Sequence, residues 1–491
     1  MFVQHMLAVL RPGGMAITVM PHGVLFRGGA ERDIRKGMLD EDLVDAVIGL
    51  APNLFYGTGI PACLLVLRAP NGKPPERKGK VLFINADREF FEGRAQNYLY
   101  PEHIEKIVSA WRAFADIEGF ARVVSRKELA ENDDNLNIRR YADNAPPPEP
   151  HDVRAHLFGG VPVSEVQAKR ALFDAHGLDP MGLLSPQGDR YLELAGTLAD
   201  KASLKKRIET DAGVLAKEQA LKGAVDSWWS AHQRCVAELP VTKEPMKARA
   251  ELLSTFEQAL GPVGLLDRFQ VAGVVASWWG DVQNDLGAAA AHGFVGLVDA
   301  WVTSILSILE DRESEEKAIR DRARKENPLD HRLVKHLLPE YLGDLAELEA
   351  KKAELDASIK GAGPSEDGES EAEESEGDGE AQFSEEELKA LKKQVGDVKK
   401  KLKAKQEDFT LRLKKARTAL DEEAARTLCL RILRADLDAI LTRYVSDHRQ
   451  KVVSAFETWW DKYRVTLTSI EGERDAAAGK LRGFLEGLGY A

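Results

Sequence analysis

Two apolar runs of strand length, LVDAVIGL at 43–50 and ACLLVLR at 62–68, are separated by only eleven residues, APNLFYGTGIP. Runs of this length that are rich in Val, Ile and Leu are typical of buried strands. A parallel connection needs a crossover of about a dozen residues or more, so this short connection predicts an antiparallel pair. The hairpin therefore fixes part of a sheet, and its loop must lie at one end of that sheet.

Further elements around the hairpin complete an α/β unit over roughly the first 90 residues. The sequence predicts a helix in FVQHMLAVL, a strand in MAITVM, a charged helix in AERDIRKGMLDED and another strand in KVLFINA. From about residue 100 onward the helical period dominates. We therefore expect an α/β domain followed by a long, mostly α-helical region.

Composition divides the chain into four predicted segments. The α/β domain is expected at 1–145, ending in the stiff linker APPPEP, and a helical domain at 146–340. Apolar residues at heptad spacing on both sides of an acidic run predict an antiparallel coiled-coil hairpin at 341–420, with a disordered loop at 361–382. A helical C-terminal segment is expected at 421–491.

The overall charge and the cysteines exclude several classes of protein. The net charge is −12, but GAGPSEDGESEAEESEGDGE at 361–380 holds nine acidic residues and no Lys or Arg. The remainder is near neutral, so the acidity does not argue against nucleic acid as a partner. Three cysteines lie far apart with no CxxC, which argues against a disulfide framework and a metal site. We expect neither a signal peptide nor a membrane span, and therefore a cytoplasmic chain.

The loop between the hairpin strands is the richest candidate site. It presents Phe55 and Tyr56 next to Gly57 and Thr58, with Asn53 at its start. A planar ligand such as an unstacked base could lie on one of these rings. The alternative is that the aromatic side chains only cover the core, and the residues alone leave both interpretations open.

The segment FRGGAERDIRK at 26–36 is the second candidate site. A Gly-Gly turn leads into a helix, and the N–H groups at that helix start, together with Arg27, Arg32 and Arg35, could contact phosphates. The alternative is a solvated helix face with Glu–Arg pairs. We find no Ser/His/Asp triad, no HExxH and no phosphate-binding P-loop in the sequence.

Three stretches together resemble a known family. LRPGGMAITVMPHGVLFRGGAERDIRKGMLDEDLVDAVIGLAPNLFYGTGIPACLLVLR, then KVLFINADREFFEGRAQNYL and ENDDNLNIRRY, closely resemble the modification subunit of type I restriction–modification systems. These subunits are adenine-specific N6 DNA methyltransferases that use S-adenosylmethionine. The likeness extends over roughly residues 1–180. It implies the C-terminal part of a seven-stranded methyltransferase sheet, with about its last three strands, in the α/β domain.

The resemblance also assigns roles to residues. It implies that Phe55, or its neighbour Tyr56, stacks on the flipped adenine, while Asn53, Gly57 and Thr58 shape the loop. It places Arg27 and its glycines toward DNA, and together with Arg32 and Arg35 from the helix start this residue forms the expected DNA-facing set. The helices after residue 100 would bind the specificity subunit, and the restriction subunit is a further expected partner.

Two motifs of this family do not occur in the 491 residues. One is a Gly-rich loop that binds the cofactor, and the other is an Asn-Pro-Pro-Phe/Tyr motif that grips the adenine. We therefore expect an N-terminally truncated fragment with no catalytic residues of its own, an unknown cofactor site and no activity alone. The alternative is a non-catalytic scaffold that docks a DNA specificity subunit.

Overall fold

The computed structural model describes residues 2–145, 150–196, 198, 200–313, 327–361 and 385–490. The chain divides into two compact units, each built from separate stretches of sequence. The first comprises Met1–Ser230, Ala250–Gly280 and Leu437–Ala491, and the second comprises Ala231–Arg249 and Asp281–Asp436. The four predicted linear segments remain a prediction.

A mixed five-stranded sheet forms the centre of the N-terminal part of the first unit. Its strands are β1 (Met15–Pro21), β2 (Val44–Leu50), β3 (Ala62–Arg68), β4 (Lys80–Ala86) and β5 (Ala121–Ser125). Their order is β1-β3-β2-β4-β5. Only the β2–β4 pair is parallel, and the other three pairs are antiparallel. The sequence therefore predicted an α/β sheet and four of its five described strands, whereas β5 was not predicted and the resemblance had implied only about three strands.

The predicted hairpin is confirmed, because β2 and β3 pair antiparallel with Val47 opposite Leu65 and Gly49 opposite Cys63. β2 is buried along its whole length, as expected for a central strand with both faces covered. β1 differs, since it lies at the edge of the described sheet and exposes the alternate apolar side chains of Met15, Ile17 and Val19.

Helices cover both faces of the sheet. On one face, Met38 and Leu39 pack with Val47 and Phe83 in one core cluster, and on the other Ile107 and Ala110 pack with Ile48 in a second. The helices of the first 145 residues are α1 (Phe2–Ala8), α2 (Ala30–Asp40), α3 (Pro101–Ala113), α4 (Arg126–Glu131) and α5 (Ile138–Tyr141).

The region after residue 150 is mostly helical, with one addition that the sequence analysis missed. A small antiparallel sheet has the order β6-β8-β7, from β6 (Val161–Pro162), β7 (Leu184–Pro186) and β8 (Tyr191–Leu194). These strands are too short for a periodic signal in the sequence. The helices up to residue 260 are α6 (Val153–Phe158), α7 (Val163–Ala168), α8 (Arg170–His176), α9 (Lys201–Glu209), α10 (Ala212–Ala237), α11 (Leu239–Thr242) and α12 (Pro245–Leu260).

Helix α13 (Arg268–Glu313) is the longest apolar element and is interrupted at Gly293, whose φ is 75° and ψ 178°. By length and composition alone it is long and apolar enough to cross a membrane. Its Val271, Val274 and Trp278 are nevertheless buried within the protein. The core helix of a globular protein passes the same test of length and composition.

Two helices flank the acidic run, as the heptad spacing predicted. One described helix precedes this pair and two follow it, so the described helices after residue 330 are α14 (Arg332–Leu337), α15 (Pro339–Gly361), α16 (Glu385–Thr418), α17 (Glu422–Tyr463) and α18 (Leu467–Gly487). Tyr341, near the start of α15, contacts Lys405 and Phe409 in the later part of α16, as antiparallel helices require. Supercoiling of this pair stays a prediction, and the predicted disordered loop falls almost entirely outside the described residues.

Candidate functional site

The loop at 51–61 lies where β2 ends and β3 begins, at one end of the sheet. Asn53 has a φ of 56° and Gly57 a φ of 75°, so the backbone turns sharply at two points where left-handed conformation is required. Phe55 and Thr58 pair across the tip, and the Thr58 hydroxyl accepts the N–H of Ile60 at 3.1 Å. The tip is therefore a small defined turn with the aromatic residues at its apex.

The two aromatic side chains of this loop differ in exposure. Tyr56 is 92 % exposed and Phe55 is 41 % exposed. Aromatic residues that cover a core bury most of their surface. Tyr56 therefore does not cover the core and is accessible to a planar ligand, whereas Phe55 buries more than half of its surface and is accessible only in part.

A second loop, at 87–98, supports the first. Asn97 donates its backbone N–H to the carbonyl of Asn53 at 2.8 Å, and its Nδ2 donates to the carbonyl of Pro52 at 2.9 Å. Asn97 is only 8 % exposed. Phe91 and Tyr98 exchange two backbone hydrogen bonds of 2.9 Å, which close the second loop into a hairpin-like turn.

The sequence analysis did not assign this second loop to the site. The available signal was that β2 and β4 both precede polar loops. Because these strands are parallel neighbours, their carboxyl ends lie at the same edge of the sheet, which is where ligands bind in open α/β sheets. What could not be foreseen from the sequence was the parallel pairing itself, and therefore the contact between Asn97 and Asn53.

A third segment meets the same edge. Arg139 Nη2 donates to the Asp87 carboxylate at 2.8 Å, and the Asn144 side-chain amide donates to the same carboxylate. Asn85 Nδ2 donates to the carbonyl of Ala142 at 2.9 Å. These bonds hold residues 138–144 against the end of β4. The Asp87 carboxylate accepts hydrogen bonds from both Arg139 and Asn144.

The three arginines of the second candidate site do not share one environment. Arg27 is exposed and lies 3.8 Å from Glu31, whereas Arg32 pairs with Asp133 at 2.9 Å. Arg35 lies on the inner side of α2, next to Met38. The predicted phosphate-contacting face therefore does not contain all three side chains.

Arg35 is 4 % exposed, and its guanidinium group donates hydrogen bonds to backbone carbonyl groups. Its Nη1 donates to the carbonyls of Val24 at 3.1 Å and of Arg27 at 2.8 Å, and its Nε donates to the carbonyl of Asp134 at 3.3 Å. Burial lowers the pKa of its guanidinium. The expectation that Arg35 faces DNA does not fit this position, because the helical period turns its side chain inward to fix the turn that precedes α2.

No metal site is found among the residues that the structure describes, where no group of three or more His, Cys, Asp or Glu side chains could hold an ion. We likewise assign no catalytic acid, base or nucleophile at the sheet edge. What the geometry offers is a rigidly supported aromatic loop with accessible rings, which suits binding of a planar group.

The first part of the chain matches a known protein family. Residues 1–149 match the family described as N-6 DNA Methylase. The methylase subunit of the type I restriction enzyme MjaVIII from Methanocaldococcus jannaschii is 46% identical over 126 residues, which is 25% of this chain and 22% of that protein. The methylase subunit of the type I restriction enzyme MpnII from Mycoplasma pneumoniae is 36% identical over 153 residues, covering 31% of this chain and 27% of that protein.

Among solved structures, the methyltransferase subunit of a type I restriction-modification system from Streptococcus thermophilus is 46% identical. The match covers 26% of this chain and 27% of that one, with a TM-score of 0.25. The chain thus spans about a quarter of the length of the curated relatives that it matches.

Proposed function

We propose that this chain, whose residues 1–149 belong to the N-6 DNA methylase family, acts as a modification subunit of a type I restriction–modification system, methylating adenine in DNA at N6. The observation that carries the proposal is the exposed aromatic loop at 51–61, held by Asn97 within the matched segment. The matched segment corresponds to about a quarter of the length of each relative. The methyltransferase activity of a whole subunit is therefore proposed for this chain and does not follow from the match alone.

The loop would hold a target base that has left the DNA stack. Phe55 or Tyr56 would stack on the flipped adenine, and a ring–base stack contributes about 1–3 kcal/mol. Asn53, Gly57 and Thr58 would shape the loop, as their backbone geometry supports. Of the three arginines at the start of α2 and just before it, we retain Arg27 and Arg32 as candidates for phosphate contact and leave out Arg35.

The cofactor of this function would be S-adenosylmethionine, which supplies an activated methyl group. The described residues do not fit a site for it. The polar side chains at the carboxyl edge of the sheet, Asp87, Arg139 and Asn144, bond to each other, and neither family motif for cofactor or adenine occurs in the sequence. We therefore propose that the chain is inactive alone and needs residues from elsewhere for the transfer.

The edge strand β1 supports this part of the proposal. It is an edge strand of the described sheet, and the backbone N–H and C=O groups along an edge strand are where further strands pair. We propose that additional strands of a methyltransferase sheet pair there, making this sheet the C-terminal part of a seven-stranded one. The helices after residue 100 would bind a specificity subunit in the cytoplasm, with a restriction subunit as a further partner.

The decisive experiment has two stages. First, the purified chain is titrated with S-adenosylmethionine by calorimetry, and we expect no binding at high micromolar concentration. One-to-one binding would show that the chain has a cofactor site and would contradict this part of the proposal. Second, the chain is combined with a specificity subunit and a polypeptide that carries the two missing motifs, and transfer of labelled methyl to adenine in duplex DNA is measured. Absence of transfer from this complete assembly would contradict the proposed function.

A further inference from the structure

Helix α16 carries a large excess of basic residues. Over its full length it holds twelve Lys or Arg and six Asp or Glu, and three of these six are the Glu residues at 385–387, so residues 389–417 hold twelve basic and three acidic residues. The preceding helix, α15, has the opposite balance, with six acidic and three basic residues over 339–361. The positive charge is therefore concentrated on one helix of this pair.

The apolar side of α16 is already used for packing. Val395, Val398, Phe409 and Leu413 are buried, and Phe409 and Leu413 belong to a core cluster with Tyr341 of α15. These positions recur at the spacing of one helix face. The remaining circumference of the helix faces outward and carries nearly all of the basic side chains.

Most of these basic groups have no acidic partner among the residues that the structure describes. Four are paired: Lys403 with Glu407 at 3.8 Å, Lys405 with Asp344, Arg412 with Asp408, and Arg417 with Asp299. Among the described residues no carboxylate lies within 4 Å of the other eight, all of which are exposed: Lys389, Lys392, Lys393, Lys399, Lys400, Lys401, Lys414 and Lys415.

The length of this surface matches an extended polyanion. At 1.5 Å per residue, the 389–415 stretch is roughly 39 Å long, and a duplex of about 11 base pairs covers the same distance at 3.4 Å per pair. Lysines that project in several directions from one rod reach successive phosphates without requiring a fixed register, because an ammonium acts as a point charge.

The composition of this lysine-rich face of α16 is not that of a protein-interface centre, so we assign the proposed contact with a specificity subunit to other surfaces of the helices after residue 100. The centres of protein–protein interfaces are depleted of Lys and rich in aromatic and apolar side chains. Within the described part of α16, the only large apolar side chain that is mainly exposed is Leu411. Phosphate contacts, in contrast, are made mostly by Lys and Arg and carry no sequence information.

We propose that the lysine surface of α16, defined by the eight unpaired lysines, binds the phosphodiester backbone of duplex DNA without sequence preference. This inference rests on the charge and packing of α16 and does not depend on the proposed methyltransferase function. It adds a second DNA-binding surface to the chain, provided by a helix that lies outside the family-matched segment.

The test is DNA binding by the full-length chain as a function of salt. The variant carries Lys399→Gln, Lys400→Gln and Lys401→Gln, since Gln keeps a comparable helix propensity. The control carries Lys205→Gln, Lys206→Gln and Arg207→Gln, which remove the same charge from exposed positions of α9. Binding of a random 20-base-pair duplex is measured by fluorescence anisotropy from low to moderate salt.

We expect the α16 variant to bind about tenfold more weakly and the slope of log K against log salt to fall by about 2 to 3, because each phosphate that a lysine neutralises contributes roughly 0.9 to that slope. The control should retain the wild-type slope. Equal weakening in both variants would mean a general charge effect and would overturn the proposal, as would an unchanged α16 variant. Circular dichroism checks that both variants keep their helix content.

One further arm separates DNA from other anionic surfaces. Vesicles containing phosphatidylserine are titrated with the same three proteins, because polybasic segments are also attracted to anionic lipid. Weaker vesicle binding together with unchanged DNA binding in the α16 variant would assign the surface to lipid and refute the DNA assignment. None of these binding measurements involves methyl transfer. A negative result would therefore refute DNA binding by the lysine surface and would leave the proposed methyltransferase function untouched.

Discussion

Asn97 holds Asn53 directly, with its backbone N–H 2.8 Å from the Asn53 carbonyl oxygen. The side-chain amide of Asn97 adds a bond to the neighbouring carbonyl of Pro52 at 2.9 Å. The start of the aromatic loop is thus fixed by a residue of another loop. This contact positions Phe55 and Tyr56 without touching either ring.

Asn97→Ala should therefore loosen the loop without unfolding the protein. The backbone bond survives, but the Pro52 carbonyl loses a buried partner, which costs about 1–2 kcal/mol. We expect faster limited proteolysis within residues 54–60 and a small fall in the urea midpoint. Asn97→Asp keeps the size but cannot donate, so it should behave like Asn97→Ala. A wild-type cleavage rate in both variants would contradict the supporting role of the side chain.

The exposed rings can be tested separately from stability. Tyr56→Ala and Phe55→Ala should change the free energy of unfolding by less than about 0.5–1 kcal/mol, because both side chains reach solvent. If either ring stacks on a base, its removal should weaken quenching of a 2-aminopurine oligonucleotide and cost about 1 kcal/mol of binding or more. Ile60→Ala, at another exposed position of the loop, is the control. Quenching that persists in both aromatic variants would exclude these rings as the stacking platform.

Arg35 and Arg27 should respond oppositely to the same substitution. Arg35→Ala leaves three carbonyls without their donor in a buried site, and we expect a loss of about 2–4 kcal/mol in unfolding free energy. Arg27→Ala removes an exposed side chain with one 3.8 Å ion pair and should change stability by less than about 0.5 kcal/mol. Denaturant titration compares the two. Equal, small effects would show that Arg35 is not needed to fix the turn.

A buried histidine pair predicts a pH dependence of stability. His176 Nδ1 lies 2.8 Å from His448 Nδ1, and His176 Nε2 lies 2.9 Å from the Glu218 carboxylate. With His176 donating to Glu218, its Nδ1 accepts the Nδ1–H of His448, so both rings are neutral. Arg449 also pairs with Glu218, and Lys451 and Asp267 are the other charges acting on His448.

Burial lowers the pKa of His176, and burial together with His176 lowers the pKa of His448 to about 4. The unfolded chain binds these protons more readily than the folded one between about pH 6.5 and pH 4, so stability should fall as the pH is lowered through that window. For His448 the loss is on the order of 3 kcal/mol at most. Urea midpoints at pH 7.5 and 5.0 measure it. His448→Gln should reduce the pH dependence, while His5→Gln, in the first helix, is the control. An equal slope in all three proteins would disprove the linkage.

Local signals in the sequence predicted the central elements well. The antiparallel β2–β3 pair followed from two apolar runs and a connection too short for a helix, and the helix at 30–40 followed from a charged segment after two glycines. In contrast, β5 and the small β6–β8 sheet were missed, since short strands carry too little periodicity to be told from loops. The same reasoning identified the aromatic loop but not its support.

What the sequence by itself determined is the hairpin, the loop with Phe55 and Tyr56, the alternation of helices and strands, and the resemblance of the first part of the chain to N6 DNA methyltransferases. These depend on neighbours within a few residues, or on a pattern of residues. Only the tertiary structure decided that Arg35 is buried, that Asn97 holds the loop, and that eight lysines of α16 have no carboxylate partner among the described residues. Each of these depends on which distant segments come together, and side-chain burial and pairing are set by those contacts and not by residue type.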